Sequence, residues 1–223
     1  MNDQSTYVPV YPAYARSERI ADGIIHVLGI AGAAIGVLFL MIWAATHLGV
    51  GQVTALAVYG SAMMAMFVAS ACYHMTPWEA WRPFFRRIDQ AAIYLKIAGT
   101  YTPLVVIIGS FTSYFVLAVV WALAAIGVFG KLFLRHRPGP ALPWTYLAMG
   151  WMSVLLLWSL VSILPWAAST LIVTGGLLYT IGVVFYSWES LKFSNAIWHG
   201  FVVAATVCFY AAIVLGMRVS VVA

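Results

Sequence analysis

The sequence predicts an all-α integral membrane protein, a bundle of seven transmembrane helices. Three observations predict it. Of its 223 residues, 64% are hydrophobic and only 8% are charged, against about 25% charged in an ordinary soluble domain, so most of the outer surface has to face lipid. The apolar stretches are each about as long as a helix needs to cross the hydrocarbon core, roughly 20 residues. None shows the period-2 alternation of a membrane strand.

Seven stretches qualify, at 21–45, 53–73, 88–109, 112–134, 144–164, 169–188 and 196–218. Residues 1–20 lack the basic start, apolar centre and small-residue cleavage site of a signal peptide. They read as a short cytoplasmic tail, followed by a membrane domain over 21–218 and an outer tail over 219–223. In the first span Gly32 and Gly36 have the GxxxG spacing of a close helix contact. The third span contains Pro103, which predicts a kink. Tryptophans such as Trp78, Trp81, Trp144 and Trp166 fall near the span ends, where interfacial anchors sit.

Orientation follows from the basic residues. Arg16 and Arg19, then Arg82, Arg86 and Arg87, then Lys131, Arg135 and Arg137, then Lys192 all fall on one side, nine against Arg218 alone on the other. The N-terminus is therefore expected in the cytoplasm and the C-terminus outside, in the cell's inner (plasma) membrane. Lys96 is left inside a span. The net charge of +5 forms no basic patch interleaved with exposed aromatics, which argues against a nucleic-acid partner. Cys72 and Cys208 lie in apolar stretches and form no CxxC pair.

Ionisable groups inside spans are costly and face the bundle interior. Here they share a depth. Asp22 and His26 open the first span, Ser70 and His74 close the second, Asp89 opens the third, and Asn195 and His199 open the seventh. Three of these groups are i,i+4 pairs, each on one helix face. Helices that alternate direction bring all four to the inner membrane level. Imidazoles converging with carboxylates suit a metal ion that lowers the pKa of a bound water to about 7 for attack on a carbonyl. His47 is placed at the outer end of the first span, and His136, between Arg135 and Arg137, is expected to meet lipid headgroups. The chain has no GxSxG, HExxH or P-loop motif.

Several strings carry a resemblance: Glu18-x3-Asp22-x3-His26-x2-Gly29, Ser70-x3-His74, Arg86-Arg87-Ile88-Asp89, the segment Ile97 to Pro103, Gly175 to Tyr186, and Trp198-His199. On these the chain resembles the hemolysin III branch of the progestin and adipoQ receptor family. The resemblance implies seven helices and a zinc ion near the inner face, bound by three histidines. His74 and His199 match two ligands, Asp89 the aspartate that orients a water, and Ser70 the serine one turn before the ligand. The family's His-x3-His in the last span reads Asn195-x3-His199 here, and an amide oxygen is a poor zinc ligand. Cys208 and Gln90 also stand where relatives often carry histidine. Lys96 is expected to lean toward Asp89, Asp22 or the site, or else to snorkel to headgroups.

Three functions compete on this reading. One is a zinc-dependent, ceramidase-like hydrolase of a lipid amide or ester, with His74, His199 and in part Asn195 as ligands, Asp89 and Ser70 as catalytic groups, and Asp22, His26 and Lys96 as a supporting polar cluster. The second is a non-enzymatic lipid sensor or regulator. The third is the pore former that the hemolysin name implies; the apolar outer halves of the spans speak against a channel within one subunit. A membrane lipid is the expected partner in the first two.

Overall fold

The computed structural model describes residues 14–134, 143–188 and 190–222. His136 and its flanking arginines lie outside them. The elements are α1 (Arg16–His47), α2 (Val50–Met75), a 3-10 turn (Glu79–Trp81), α3 (Arg82–Ile108), α4 (Phe111–Phe133), α5 (Trp144–Trp151), α6 (Val154–Ile163), α7 (Trp166–Ser187) and α8 (Ser194–Val222). Among the described residues seven helices are long and apolar enough to cross a membrane, with α5 and α6 together making the fifth. The chain is a multi-pass membrane protein.

The helices begin and end where local chemistry lets them. At the start of α1 the Ala15 amide donates to Glu18 Oε2 at 2.9 Å, satisfying one of the orphan amides of a helix start, so the helix opens inside the expected tail. At the far end α8 continues to Val222, held by Gln52 of α2, whose amide donates to Ser220 Oγ at 2.9 Å. Gly109 closes α3 with φ 68°, a conformation that favours glycine. Ser110 then caps α4 by accepting from the Ser113 amide.

Two expectations are corrected. The fifth span is not one helix: it breaks at Met152 and Ser153 between α5 and α6. The Tyr101 hydroxyl of α3 reaches the carbonyls of Met149 and Gly150 at 3.0 and 2.7 Å. A side chain inserted into the ladder takes up carbonyls that the helix would otherwise use. The first-span GxxxG is also not a packing face. Gly32 is exposed with nothing near its missing Cβ, whereas a Cβ on Gly29 would lie 2.8 Å from the Phe67 ring. At Gly36 the close neighbour is the Tyr210 ring, whose hydroxyl donates to the Gly36 carbonyl at 2.8 Å. The α3 helix runs through Pro103 without interruption.

Packing follows a ring. α1 lies between α2 and α8, α2 packs on α3, α8 packs on α7, and α5 bridges α3 and α7, while α4 packs on the outside of α3. The α2–α3 contact is close because Gly99 faces Ala62: a Cβ there would be 2.7 Å from the Ala62 methyl. Small residues replace the hydrophobic drive that lipid removes. Gly99→Leu should therefore destabilise the protein by roughly 1–3 kcal/mol through overpacking, and Gly32→Leu should leave it unchanged; thermal unfolding of both variants in detergent checks this.

Candidate functional site

Three of the predicted polar pairs meet. On α1, Asp22 and His26 are 3% and 4% exposed, and Ser70 and His74 of α2 and His199 of α8 are buried beside them. The three imidazoles form a triangle, with ring centroids 4.4 Å apart for His26 and His199, 4.5 Å for His74 and His199, and 5.5 Å for His26 and His74. Asp22 lies among them. Its Oδ1 accepts from His199 Nδ1 at 2.6 Å and is 3.7 Å from His26 Nδ1, and its Oδ2 is 3.7 Å from His74 Nδ1.

Hydrogen bonding fixes two of the tautomers. A carbonyl and a carboxylate can only accept. His26 Nδ1 therefore carries the proton it donates to the Asp22 carbonyl at 2.8 Å, and His199 Nδ1 carries the one it gives Asp22 Oδ1. In the neutral rings both Nε2 atoms are then lone pairs. Both face the Ser70 hydroxyl, at 3.2 Å from His26 and 3.4 Å from His199. A hydroxyl has one proton, so one of these two buried lone pairs is always left over. Such a position favours a cation.

Asp89 of α3 stands next to this group, with a hydrogen bond to the Ser70 hydroxyl and with His199, Arg86 and Asp22 as its charged or polar neighbours, so the one Ser70 proton has three acceptors about it. Ser70, His26, His74, Asp89, Asn195 and His199 all line one cavity of about 1030 Å³. That volume is at the upper end of the range for small-molecule sites. The cavity extends along α3 past Lys96 and Thr100 to Leu104, where Leu156 and Leu160 of α6 and Ile172 of α7 also line it with apolar walls.

The remaining predicted residues fall differently. Asn195 touches His74, with its Nδ2 3.4 Å from His74 Nδ1. Turning the amide over would let its oxygen accept from that nitrogen, a positioning role of the kind that second-sphere groups play around metal-binding imidazoles. Lys96 is a correction. It reaches neither Asp22 nor Asp89 nor the headgroups: it is 5% exposed, and its ammonium donates to the Tyr179 hydroxyl of α7. The face of α3 that carries it looks at α7 and α8, where the rings of Tyr179 and Phe209 lie 4.4 and 5.4 Å from Nζ and offer cation–π contact.

Two supports were not foreseen. Glu18, one turn before Asp22, accepts the Phe193 amide on Oε1 at 2.8 Å. Phe193 has φ 65°, a conformation few non-glycine residues adopt, and it immediately precedes α8. Glu18 thus ties the start of α1 to the turn that aims Asn195 and His199. Arg82, counted in the sequence only as an orientation signal, is 3% exposed. It donates to both oxygens of Glu79 and to the Tyr73 and Thr76 carbonyls at the end of α2. The spacing Glu18, Asp22, His26 is a readable signal for the first: three polar groups four residues apart make one stripe.

A family model described as "Haemolysin-III related" matches residues 14–210. The chain belongs to that family. It is similar to the Hemolysin-3 homolog of Bacillus subtilis (strain 168), 31% identical over 86% of this chain and 91% of the relative, and to the Hemolysin-3 of Bacillus cereus, 34% identical over 86% and 89%. The human Monocyte to macrophage differentiation factor is 30% identical over 70% of this chain and 67% of its own length. In this member of the family Asp22, His26 and His199 offer ligand atoms that all lie within 4.8 Å of one another. Tetrahedral zinc with bonds of about 2.0–2.1 Å sets its ligand atoms roughly 3.3 Å apart, so the group could hold a metal ion with small closing movements. The imidazole that the last span lacks is matched by one from the first.

The Glu18 tether gives a direct test. Glu18→Ala should accelerate hydrogen exchange at the Phe193 amide and at the first turn of α8, leaving α4 unaffected; exchange mass spectrometry of the two proteins reads this out.

Proposed function

We propose that this protein is a zinc-dependent hydrolase of a lipid amide or ester, working at the inner face of the plasma membrane. One observation carries the reading: a buried trio of imidazoles, with a lone pair in excess, opens on a large apolar cavity. The family membership supports the membrane setting and leaves the chemistry to be tested.

The residues divide the work. His26 and His199, the imidazoles of the Asp22 group, would hold the ion, with His74, whose ring lies 4.5 Å from that of His199, as the third imidazole. The Asp22 carboxylate holds the His199 ring by its Nδ1 proton, which keeps Nε2 available, as carboxylate partners do for metal-binding imidazoles. A bound zinc supplies Lewis acidity and water activated near neutral pH. Asp89 would take the proton that water loses on attacking the acyl carbon and pass it to the departing amine or alcohol, so that the C–N or C–O bond breaks as the acid forms. Ser70, between the two Nε2 atoms, donates a hydrogen bond to oxygen at the same point. The apolar walls accommodate acyl chain and keep bulk water from the reacting bond.

The name Hemolysin-3 carried by the bacterial relatives invites a pore reading. Leu104, Leu156, Leu160 and Ile172 at the far end of the cavity do not support a water-filled path through one subunit.

Two measurements test the proposal. Zinc titration of purified protein should show His26→Ala, His74→Ala and His199→Ala each losing more than the roughly 10–100-fold that an outer partner costs, with Asn195→Ala inside that range. In proteoliposomes the wild type should release fatty acid from ceramide-like substrates, and Asp89→Asn should lower the rate by about 10²–10⁴-fold. Tight zinc binding without any release from amide or ester lipids would remove the enzyme and leave a non-enzymatic lipid sensor with a structural metal. Equal zinc binding by wild type and all three alanine variants would remove the metal site itself.

A further inference from the structure

The mechanism above does not use Lys96. The residue lies seven positions beyond Asp89, about 10 Å deeper along the helix, and lines the same cavity. An ammonium has three donors. One goes to the Tyr179 oxygen, and the Tyr179 hydroxyl shares a further hydrogen bond with Thr206 Oγ1 at 2.9 Å. Thr100, also on the cavity wall, gives its hydroxyl proton to the Lys96 carbonyl. Beyond Tyr179 and the Phe209 ring, which offers cation–π contact, no further partner of the ammonium is found among the described residues, and no carboxylate there is free to serve. Asp22 is engaged by His199, Glu79 by Arg82, Glu18 by the backbone of Ala15 and Phe193, and Asp89 lies by Arg86 and Ser70. A charge buried within the membrane ordinarily pairs with an opposite charge, and here none of the described carboxylates supplies one.

We propose that Lys96, with Tyr179, is a carboxylate-binding subsite in the middle of the cavity, and that its ligand is a long-chain free fatty acid. The charge-assisted hydrogen bonds from Nζ hold the carboxylate. The chain lies against Leu104, Leu156, Leu160 and Ile172, apolar residues that line the same cavity beyond Lys96. A neutral lipid ester of the same length fits the walls equally well and lacks the anion, so discrimination between acid and ester rests on Lys96. The subsite requires neither a metal nor hydrolysis at the histidine cluster.

The test compares labelled palmitate with methyl palmitate, binding to the full-length protein in phosphatidylcholine nanodiscs. The wild type should favour palmitate by at least tenfold. Lys96→Met should abolish the preference, Lys96→Arg should retain most of it, and His199→Ala should leave it intact even if zinc binding is lost. A wild type without preference, or a Lys96→Met protein that keeps it, overturns the proposal. If Lys96→Met fails to assemble, a palmitate analogue with a diazirine next to its carboxyl group decides on the wild type alone. Crosslinks around Lys96 and Tyr179 support the subsite. Crosslinks around Asp89 and His199 instead place the carboxylate at the histidines and overturn it.

Discussion

The Asp22 carboxylate is the constraint on which the site is built. It is 3% exposed, and a buried carboxylate costs several kcal/mol unless its charge and lone pairs are met. Its partners come from three helices: His26 on its own helix, His74 on α2 and His199 on α8. Moving any of these helices along its axis by one residue would break a contact of this carboxylate. The ring α2–α1–α8 is thereby held in register at one depth, where lipid offers no hydrophobic drive to do so. Beyond this level the same helices are held by steric fit, with Gly29 against Phe67 and Gly36 against Tyr210, and by the hydrogen bonds from Tyr210 to the Gly36 carbonyl and from Gln52 to Ser220.

Span number and the shared depth of the polar residues were legible because both depend only on position along the chain. Hydrophobic length finds the spans, and alternation of direction aligns Asp22, Ser70, Asp89 and Asn195. Rotation about each helix axis was not legible. It decides that His26 joins the imidazole trio while Asn195 touches His74 from the side, and that Lys96 faces Tyr179 instead of Asp89. The motif Asn195-x3-His199 directs attention to the last span for a third ligand, but a bundle can draw its ligands from any helix that reaches the same level. The break between α5 and α6 was hidden for a similar reason. Residues 144–164 are apolar enough for a continuous helix, and the interruption coincides with a hydroxyl from another helix, Tyr101.

Two local features show how a membrane protein uses its few charges. Six acidic residues serve the whole chain, and each described one has a specific task. Glu18 holds the turn before α8. Glu79 completes the guanidinium of Arg82, which in turn satisfies carbonyls at the end of α2. Arg82 therefore contributes twice, once as part of the charge asymmetry that orients the chain and once as a helix C-terminal cap. Composition alone reveals only the first of these.

The distribution of charge inside the cavity has a consequence for anything bound there. At the histidine level the carboxyl groups are Asp22 and Asp89, answered by Arg86 and by any cation the imidazoles take up. Near Tyr179 the described residues bring one ammonium, that of Lys96, and no carboxylate. The two levels are about 10 Å apart on α3, with low-dielectric walls between them that screen poorly. Without an added cation at the imidazoles, an anion in the cavity is repelled by the carboxylates at one end and attracted by Lys96 in the middle. A dication at the imidazoles offsets the carboxylates and removes that repulsion. Occupancy of the first level thus bears on where along the cavity an anion sits, whereas the choice of acid over ester stays with Lys96, and this needs no movement of the helices, since Coulomb interaction across one shared cavity is sufficient to carry it.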